Sequence, residues 1–229
     1  MSLILDKLRG GLIVSCQPVT GGPMDRPEIV SAYALAALDG GAIGLRIEGI
    51  ANLHAVRRAT TAPVIGLVKV DLPDSPVRIT PLIENVKALI GAGADIVAVD
   101  ATDRARPVLL AALLAEIRAG GALAMADCAL AADGRTAHAL GFDVLGSTMS
   151  GYTGGPVPDG PDLGLVRALA GIGSFVVAEG RYQAPADAAA AMTAGADGVV
   201  AGSAITRPEH VTGWFVAAMQ GVAGPGGRS

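Results

Sequence analysis

The sequence predicts a single (β/α)8 barrel, a TIM barrel of the α/β class. Three observations carry that expectation: the number of strand-like runs, their alternation with helical patterns, and an aliphatic composition almost without aromatics. Eight short runs of Val, Ile, Leu and Ala are bounded by Gly, Asp or Ser: LIVSCQ, AIGLRI, VIGLVK, IVAVDA, LAMADC, VLGSTM, FVVAEG and GVVAGS. Hydrophobic residues make up 51% of the 229 residues but Phe, Trp and Tyr only 3%, so the core must be aliphatic, as in the layered interior of a parallel barrel. That length suits one domain of this kind, and residues 1–229 are read as a single barrel domain.

Taken in order, the short apolar start MSLIL is expected to run into the first strand, LIVSCQ, and it lacks the small-residue cleavage site of a secretory leader. PEIVSAYALAALDG, opened by Pro and closed by Gly, reads as a helix leading to AIGLRI. PLIENVKALIGAG stands between VIGLVK and IVAVDA, and PVLLAALLAEIRAG leads to LAMADC. After VLGSTM come PDLGLVRALAG, the strand FVVAEG, APADAAAAMTAG and the last strand, GVVAGS, behind which a short helix is expected. Each helix ends on a glycine or nearly so, the residue that leaves a helix at least cost. DGGAIGLR, GAGADIVAVD, LGFDVLGST and TAGADGVVAGS recur at roughly 50-residue intervals, two βα units apart, as quarter-barrel repetition gives. An open doubly wound sheet shows the same alternation, but no GxGxxG follows the first strand. Glycines instead concentrate after the last two strands, where barrels hold phosphate. SGYTGGPVPDGPD, behind the sixth strand, reads as a mobile cover, and VAGPGGRS as a frayed terminus.

Composition narrows the partners. The net charge is −4 with no basic run, which excludes a nucleic-acid footprint, and no apolar run reaches membrane-spanning length. The two cysteines, Cys16 and Cys128, are far apart and lack CxxC spacing, so both are expected as buried reduced thiols in a cytoplasmic protein. The expected partner is a small molecule.

In this fold the active site lies at the C-terminal mouth, so the last residue of each strand is the one to inspect. Here those ends are polar: Ser15 and Gln17, Arg46 and Glu48, Lys69 and Asp71, Asp100 and Thr102, Asp127, Ser147 to Ser150, Glu179 and Arg181, and Ser203. Lys69 leaves a β-branched run where desolvation disfavours its ammonium and makes the neutral amine available as a base; holding a phosphate or a carboxylate is its plainer role. Glu179 ends its strand the same way, as a proton-transfer group or as a structural partner of Lys69 or Arg181. Gly180 follows the seventh strand, and Gly202 and Ser203 follow the eighth ahead of the expected short helix, a small-residue cradle for phosphate that Arg207 extends. Asp100, Asp103 and Asp127 are the carboxylates available for magnesium, but a cationic phosphate site makes a metal unnecessary, and none is expected. The histidines, His54, His138 and His210, fall in or beside helices without metal spacing and are expected on the solvated surface. Cys16 lies between Ser15 and Gln17; if Gln17 faces the mouth, Cys16 faces the helices.

The motifs GLIVSCQP, RIEGIANL, PVIGLVKVDLPDSPVRITP, GADIVAVDATDRARP, MADC, GSTMSGYT, VVAEGRY and VAGSAITRP, ordered over Leu8 to Phe215, resemble the N-acylglucosamine-6-phosphate 2-epimerase family. The resemblance implies reversible interconversion of N-acetylmannosamine 6-phosphate and N-acetylglucosamine 6-phosphate in sialic acid and aminosugar catabolism, with no metal or redox cofactor, and a homodimer. By motif it implies catalytic roles for Lys69 and Glu179, substrate contacts for Gln17, Arg46, Asp127 and Arg207, and phosphate contacts for Gly180, Gly202 and Ser203. One departure is Val70, where the family usually carries a basic residue; a strand neighbour points to the opposite face, so the change bears on packing. Two other classes are kept: a Schiff-base aldolase acting through Lys69 on a sugar phosphate, and a barrel that binds sugar phosphates without catalysis.

Overall fold

All eight strand-like runs pair in parallel and in chain order, and the last closes on the first, Leu12 lying opposite Val199. The strands of this computed structural model are β1 (Leu12–Cys16), β2 (Gly44–Glu48), β3 (Val64–Leu67), β4 (Ile96–Asp100), β5 (Leu123–Asp127), β6 (Val144–Gly146), β7 (Phe175–Glu179) and β8 (Gly198–Ala201). Around them run α2 (Pro27–Asp39), α3 (Ile50–Ala59), α4 (Ile83–Gly91), α5 (Leu110–Ala119), α6 (Ala131–Leu140), α7 (Leu163–Ala170) and α8 (Pro185–Thr193), preceded by α1 (Leu3–Leu8) and followed by α9 (Ser203–Thr206) and α10 (Pro208–Val222). The structure describes residues 2–222, so the VAGPGGRS tail lies outside the described residues except for the helical Val222. Among the described residues no helix is long and apolar enough to cross a membrane.

Strand alternation sorts the core into two shells. Ile13, Ile65, Leu67, Ile96, Ala98, Met125, Val144, Val177 and Val200 fill the barrel, while Val14, Cys16, Leu45, Ile47, Val97 and Val99 pack outward against the helices. Cys16 thus lies in the outer shell, where burial pushes its thiol up to about 12. Val70 also packs on that outer shell. Burial raises the Cys128 thiol as well, and neither cysteine is poised as a nucleophile.

The N-terminal residues depart from the expectation. Instead of running into β1 they form α1, capped by Ser2, whose hydroxyl accepts from the Ile4 amide at 3.3 Å. Its Leu5 and Leu8 join the interior shell and close the bottom of the barrel. A Cβ on Gly44 would lie 2.4 Å from Leu8 Cδ2 and 3.3 Å from the Pro63 carbonyl, so a larger residue where β2 begins would displace this plug.

The sequence repeat has a structural counterpart at the same end. Asp95, Asp143 and Asp197 each precede an even-numbered strand, and each accepts from the first or second amide of the preceding strand: Val64 at 2.9 Å, Ala124 at 2.8 Å and Val176 at 2.8 Å. These carboxylates tie neighbouring strands at the bottom rim and leave the top rim for chemistry.

Candidate active site

At the top of the barrel the inward positions turn polar, and the strand ends and the loops behind them enclose a cavity of about 580 Å³. Gln17, Arg46, Lys69, Glu179, Gly180, Gly202, Ser203 and Arg207 all line it. Asp127 does not reach the cavity wall; it lies fully buried beneath it.

Lys69 stands just beyond β3, which ends at Leu67. The chain continues as an antiparallel arm in which Lys69 bridges Ile79, Val70 donates to the Arg78 carbonyl at 3.0 Å and Thr80 donates to the Val68 carbonyl at 2.9 Å. Thr80 is fully buried at φ 48, a left-handed conformation rare for a β-branched residue, and its hydroxyl accepts from Val68 at 3.4 Å. The Asp100 amide donates to the Ile79 carbonyl at 3.0 Å and fastens the returning arm to β4. Lys69 Nζ donates to Gln17 Oε1 at 2.7 Å, and Gln17 Nε2 donates to Ser15 Oγ at 2.8 Å. Arg207 Nε donates to the Gln17 carbonyl at 2.6 Å, so Gln17 links the lysine to the residue behind the last strand. Lys69 faces the open mouth, yet the walls strip enough hydration from its ammonium to lower its pKa. Arg46 and Arg207 push the same way, against Glu48 and Glu179.

Across the barrel, Arg46 is 1% exposed and spans from β2 to β5 and β7. Its Nη2 donates to Asp127 Oδ2 at 2.6 Å, its Nη1 to Asp127 Oδ1 at 3.2 Å, and Nη1 lies 3.0 Å from Glu179 Oε2. Burial disfavours that guanidinium's charge, but Asp127 and Glu179 outweigh burial and hold it protonated. Thr148 Oγ1 stands 2.7 Å from Asp127 Oδ1 and 3.1 Å from Glu179 Oε2, one hydroxyl between two carboxylates. Ser147 Oγ fixes the Glu179 backbone, donating to its carbonyl at 2.8 Å and accepting from its amide at 3.0 Å. Burial raises the Glu179 carboxyl, Asp127 adds to the rise, and Arg46, Thr148 and Lys69 oppose it. The site therefore holds a lysine pulled down and a glutamate pushed up.

The β7 and β8 ends form the glycine-rich side. Gly180 adopts φ 110, and Gly202 packs so closely on β1 that a Cβ would lie 3.2 Å from Ser15 Cβ. The expected short helix is α9, with Ser203 as its first residue. The rest of the wall includes residues that the sequence did not single out, Pro76, Arg78 and Ile79 on the returning arm, Arg104 behind β4 and Tyr152 behind β6, together with Met149 from the segment behind β6. His210 is exposed on α10, as expected, and because that helix begins beside the mouth it also borders the cavity. His54 and His138 are exposed on α3 and α6.

Of the acidic residues weighed for magnesium, Asp100 and Asp127 are engaged otherwise, and Asp103 is exposed. Asp100 accepts from Thr102 Oγ1 at 2.6 Å and Arg104 Nη2 at 2.5 Å, and Asp127 is taken by Arg46 and Thr148. Among the described residues no group of three or more His, Cys, Asp or Glu side chains is disposed to hold a metal ion.

Comparison with known proteins places this geometry among relatives. Residues 30–221 match the family model described as putative N-acetylmannosamine-6-phosphate epimerase. A putative N-acetylmannosamine-6-phosphate 2-epimerase from Actinobacillus pleuropneumoniae is 58% identical over 214 residues, covering 93% of each chain. A bifunctional enzyme from Brucella melitensis, NanE/NanK, is 59% identical over 97% of this chain and 43% of its own. Among solved structures, the N-acetylmannosamine-6-phosphate 2-epimerase from Clostridium perfringens superposes with a TM-score of 0.92 at 35% identity, covering 95% of this chain and 96% of that one. A deoxyribose phosphate aldolase from Aeropyrum pernix, at 17% identity and a TM-score of 0.65, shares the fold alone.

Proposed function

The chain belongs to the N-acetylmannosamine-6-phosphate epimerase family, and from that premise we propose how its mouth inverts C2 of N-acetylmannosamine 6-phosphate to give N-acetylglucosamine 6-phosphate. It is an epimerase of aminosugar metabolism. The aldolase and pure-binding readings are not favoured, because the relatives at high identity are epimerases and the aldolase likeness extends to the fold only.

The C2 hydrogen becomes acidic only when C1 is a free aldehyde, so the closed sugar opens first and the reaction passes through an enolate. Both steps need acid–base groups. Lys69, with its ammonium disfavoured and its nitrogen held by Gln17, removes and returns the C2 proton. Glu179, whose raised carboxyl lies near Arg46, Thr148 and Asp127, serves ring opening and proton transfer from the other side. Arg46 carries the positive charge nearest this carboxylate and stabilises negative charge that develops beside it. Asp127, off the wall, orients Arg46 and does not itself touch the sugar.

Gly180, Gly202, Ser203 and Arg207 take the phosphate, whose anchoring sets C2 over Lys69. The observation that carries the assignment is the pairing of a depressed lysine and a raised glutamate on opposite sides of one cavity within this family. Epimerisation of N-acetylmannosamine 6-phosphate in deuterated water tests it: C2 deuterium is expected from the parent, with turnover abolished in Lys69→Ala and severely reduced in Glu179→Ala. Full retention of the original C2 hydrogen in the product would rule the mechanism out.

A further inference from the structure

We infer that Arg181 is a positioning residue that clamps the loop between β6 and α7 against the end of β7, and that the wall so held keeps the C2 enolate from losing its C3 hydroxyl. The inference rests on the proton-transfer reading of Lys69 and Glu179. Arg181 lies two residues beyond Glu179, so whatever seats it also fixes the strand end that carries that carboxylate. Its backbone stands at φ 62, a left-handed conformation uncommon outside glycine, directly after Gly180 at φ 110. Strain of this kind persists where the surroundings impose it, and here they include a set of side-chain bonds.

The Arg181 side chain turns to the loop. Nε donates to the Gly160 carbonyl at 2.8 Å, Nη1 to the Ser150 carbonyl at 2.9 Å and Nη2 to Ser150 Oγ at 3.4 Å. These acceptors lie at the two ends of the loop, so one planar guanidinium closes its neck. Ser150 Oγ donates to Asp162 Oδ2 at 2.6 Å, and Asp162 caps α7 by accepting from Leu165 at 2.9 Å, which ties the same neck to a helix. At Gly151 an added Cβ would meet Pro158 Cδ at 2.8 Å and Arg181 Nη1 at 3.3 Å. The guanidinium also stands 5.9 Å from the Tyr152 ring centroid. Met149 and Tyr152 of this loop, with Arg181 itself, line the cavity.

Removal of the C2 proton leaves its electron pair spread over C2, C1 and O1. Return of a proton to C2 ends the reaction properly. The same electrons can instead re-form C1=O while a C2=C3 double bond forms and the C3–O bond breaks; hydroxide leaves, takes a proton and becomes water, and an unsaturated aldehyde phosphate remains. No oxidant or further reactant is needed, so a loosely held enolate in water is open to this loss. It requires the C3–O bond to turn perpendicular to the enolate plane and water to receive the hydroxide. A wall fixed at Met149, 9% exposed, with the more exposed Tyr152 beside it, hinders both.

Arg181→Gly removes the clamp and tolerates the left-handed backbone; Arg181→Lys keeps the charge but lacks a fork to reach both carbonyls. Parent and variants are incubated with N-acetylmannosamine 6-phosphate in deuterated water. Products are read by proton NMR and mass spectrometry, and the fold by circular dichroism. Expected are C2 deuterium from the parent, a roughly 10- to 100-fold loss of kcat/KM in Arg181→Gly, and a sugar phosphate lighter by the elements of water that the parent does not release. Arg181→Lys should release less of it. A folded Arg181→Gly protein that releases no dehydrated sugar overturns the inference, whether or not its rate falls; if that variant does not fold, the same product is sought from Arg181→Lys and its absence has the same force. A parent that places no deuterium at C2 overturns the proton-transfer reading, and the inference with it.

Discussion

Replacing Asp127 by Asn removes one charge from the buried layer that crosses the barrel and changes little in shape. Asp127 is fully buried and accepts twice from Arg46, itself 1% exposed, at 2.6 and 3.2 Å, and once from Thr148 at 2.7 Å. In the variant one acceptor oxygen becomes an NH2 group facing guanidinium donors, and Arg46 keeps Glu179, at 3.0 Å, as its one charged partner among these residues. Breaking a buried pair while leaving the other charge in place costs about 3–5 kcal/mol. Because Glu179 remains as a partial counter-ion, the lower end applies, about 3 kcal/mol. For a chain of this size that lowers Tm by about 6–12 °C. Differential scanning calorimetry at neutral pH reads the shift, and epimerisation kinetics on the folded fraction should show kcat falling while KM changes little, because Asp127 lies beneath the cavity wall. A Tm within about 2 °C of the parent would refute the view that Asp127 is the principal counter-ion of Arg46.

Three further outcomes follow from the same geometry. Glu179 has a folded pKa raised above its unfolded value, so its contribution to stability is fully present below the ordinary glutamate range and is lost as pH rises through the raised folded value; thermal melts of Glu179→Gln against the parent should therefore favour the variant increasingly as pH rises through that window, and a constant gap would contradict the burial-driven rise. Arg207→Gln removes a cation that lowers Lys69, so the limb of the kcat/KM profile reporting free Lys69 should move to higher pH, with KM raised by weaker phosphate binding; an unmoved limb would mean that Arg207 does not set the lysine. Thr80→Val keeps the buried shape but removes the hydroxyl that accepts from Val68, and it should cost about 1 kcal/mol in denaturant titration and lower kcat through a loosened Lys69 arm, whereas Thr80→Ser, which retains the hydroxyl, should keep the parent's kcat.

Much of this was readable in the sequence because the relevant signals are local. Every strand is a short aliphatic run, and period-2 alternation sends Ser15 and Gln17 inward and Cys16 outward. Lys69 and Glu179 stand out because each directly follows such a run. Other features depend on contacts that no local pattern records. Arg46 and Asp127 are separated by 81 residues, and nothing around either one shows that they bond to each other rather than face a ligand. The N-terminal helix was misread because its six residues are too few to show a helical period beside the apolar start of β1. The antiparallel arm bearing Lys69 leaves no period-2 signal, because Pro73 and Pro76 interrupt the chain between Lys69 and the Ile79 that pairs with it. That the exposed His210 also borders the cavity was not legible, because a position on α10 says nothing of where that helix starts relative to the mouth.

The charged layer at the top of the barrel is hard to explain by stability alone. A shell of aliphatic residues like Ile65, Leu67 and Val177 just below it would serve a fold at least as well as Arg46, Asp127 and Glu179 do, since buried ion pairs seldom repay their desolvation. What the layer does is bring two unlike acids closer together. Burial and Asp127 raise the glutamate, while the cavity walls, Arg46 and Arg207 lower the lysine, and proton exchange at neutral pH is most efficient when donor and acceptor lie near the working pH. Arg46 acts on both at once: it moderates the rise at Glu179 and adds to the fall at Lys69. Only a closed barrel lets one side chain from β2 meet carboxylates on β5 and β7 while standing beside β3. In an open sheet those strands would lie in sequence along one surface, and the same residues could not converge. Closure of β8 onto β1 is therefore as much a condition of the proposed chemistry as the lysine itself.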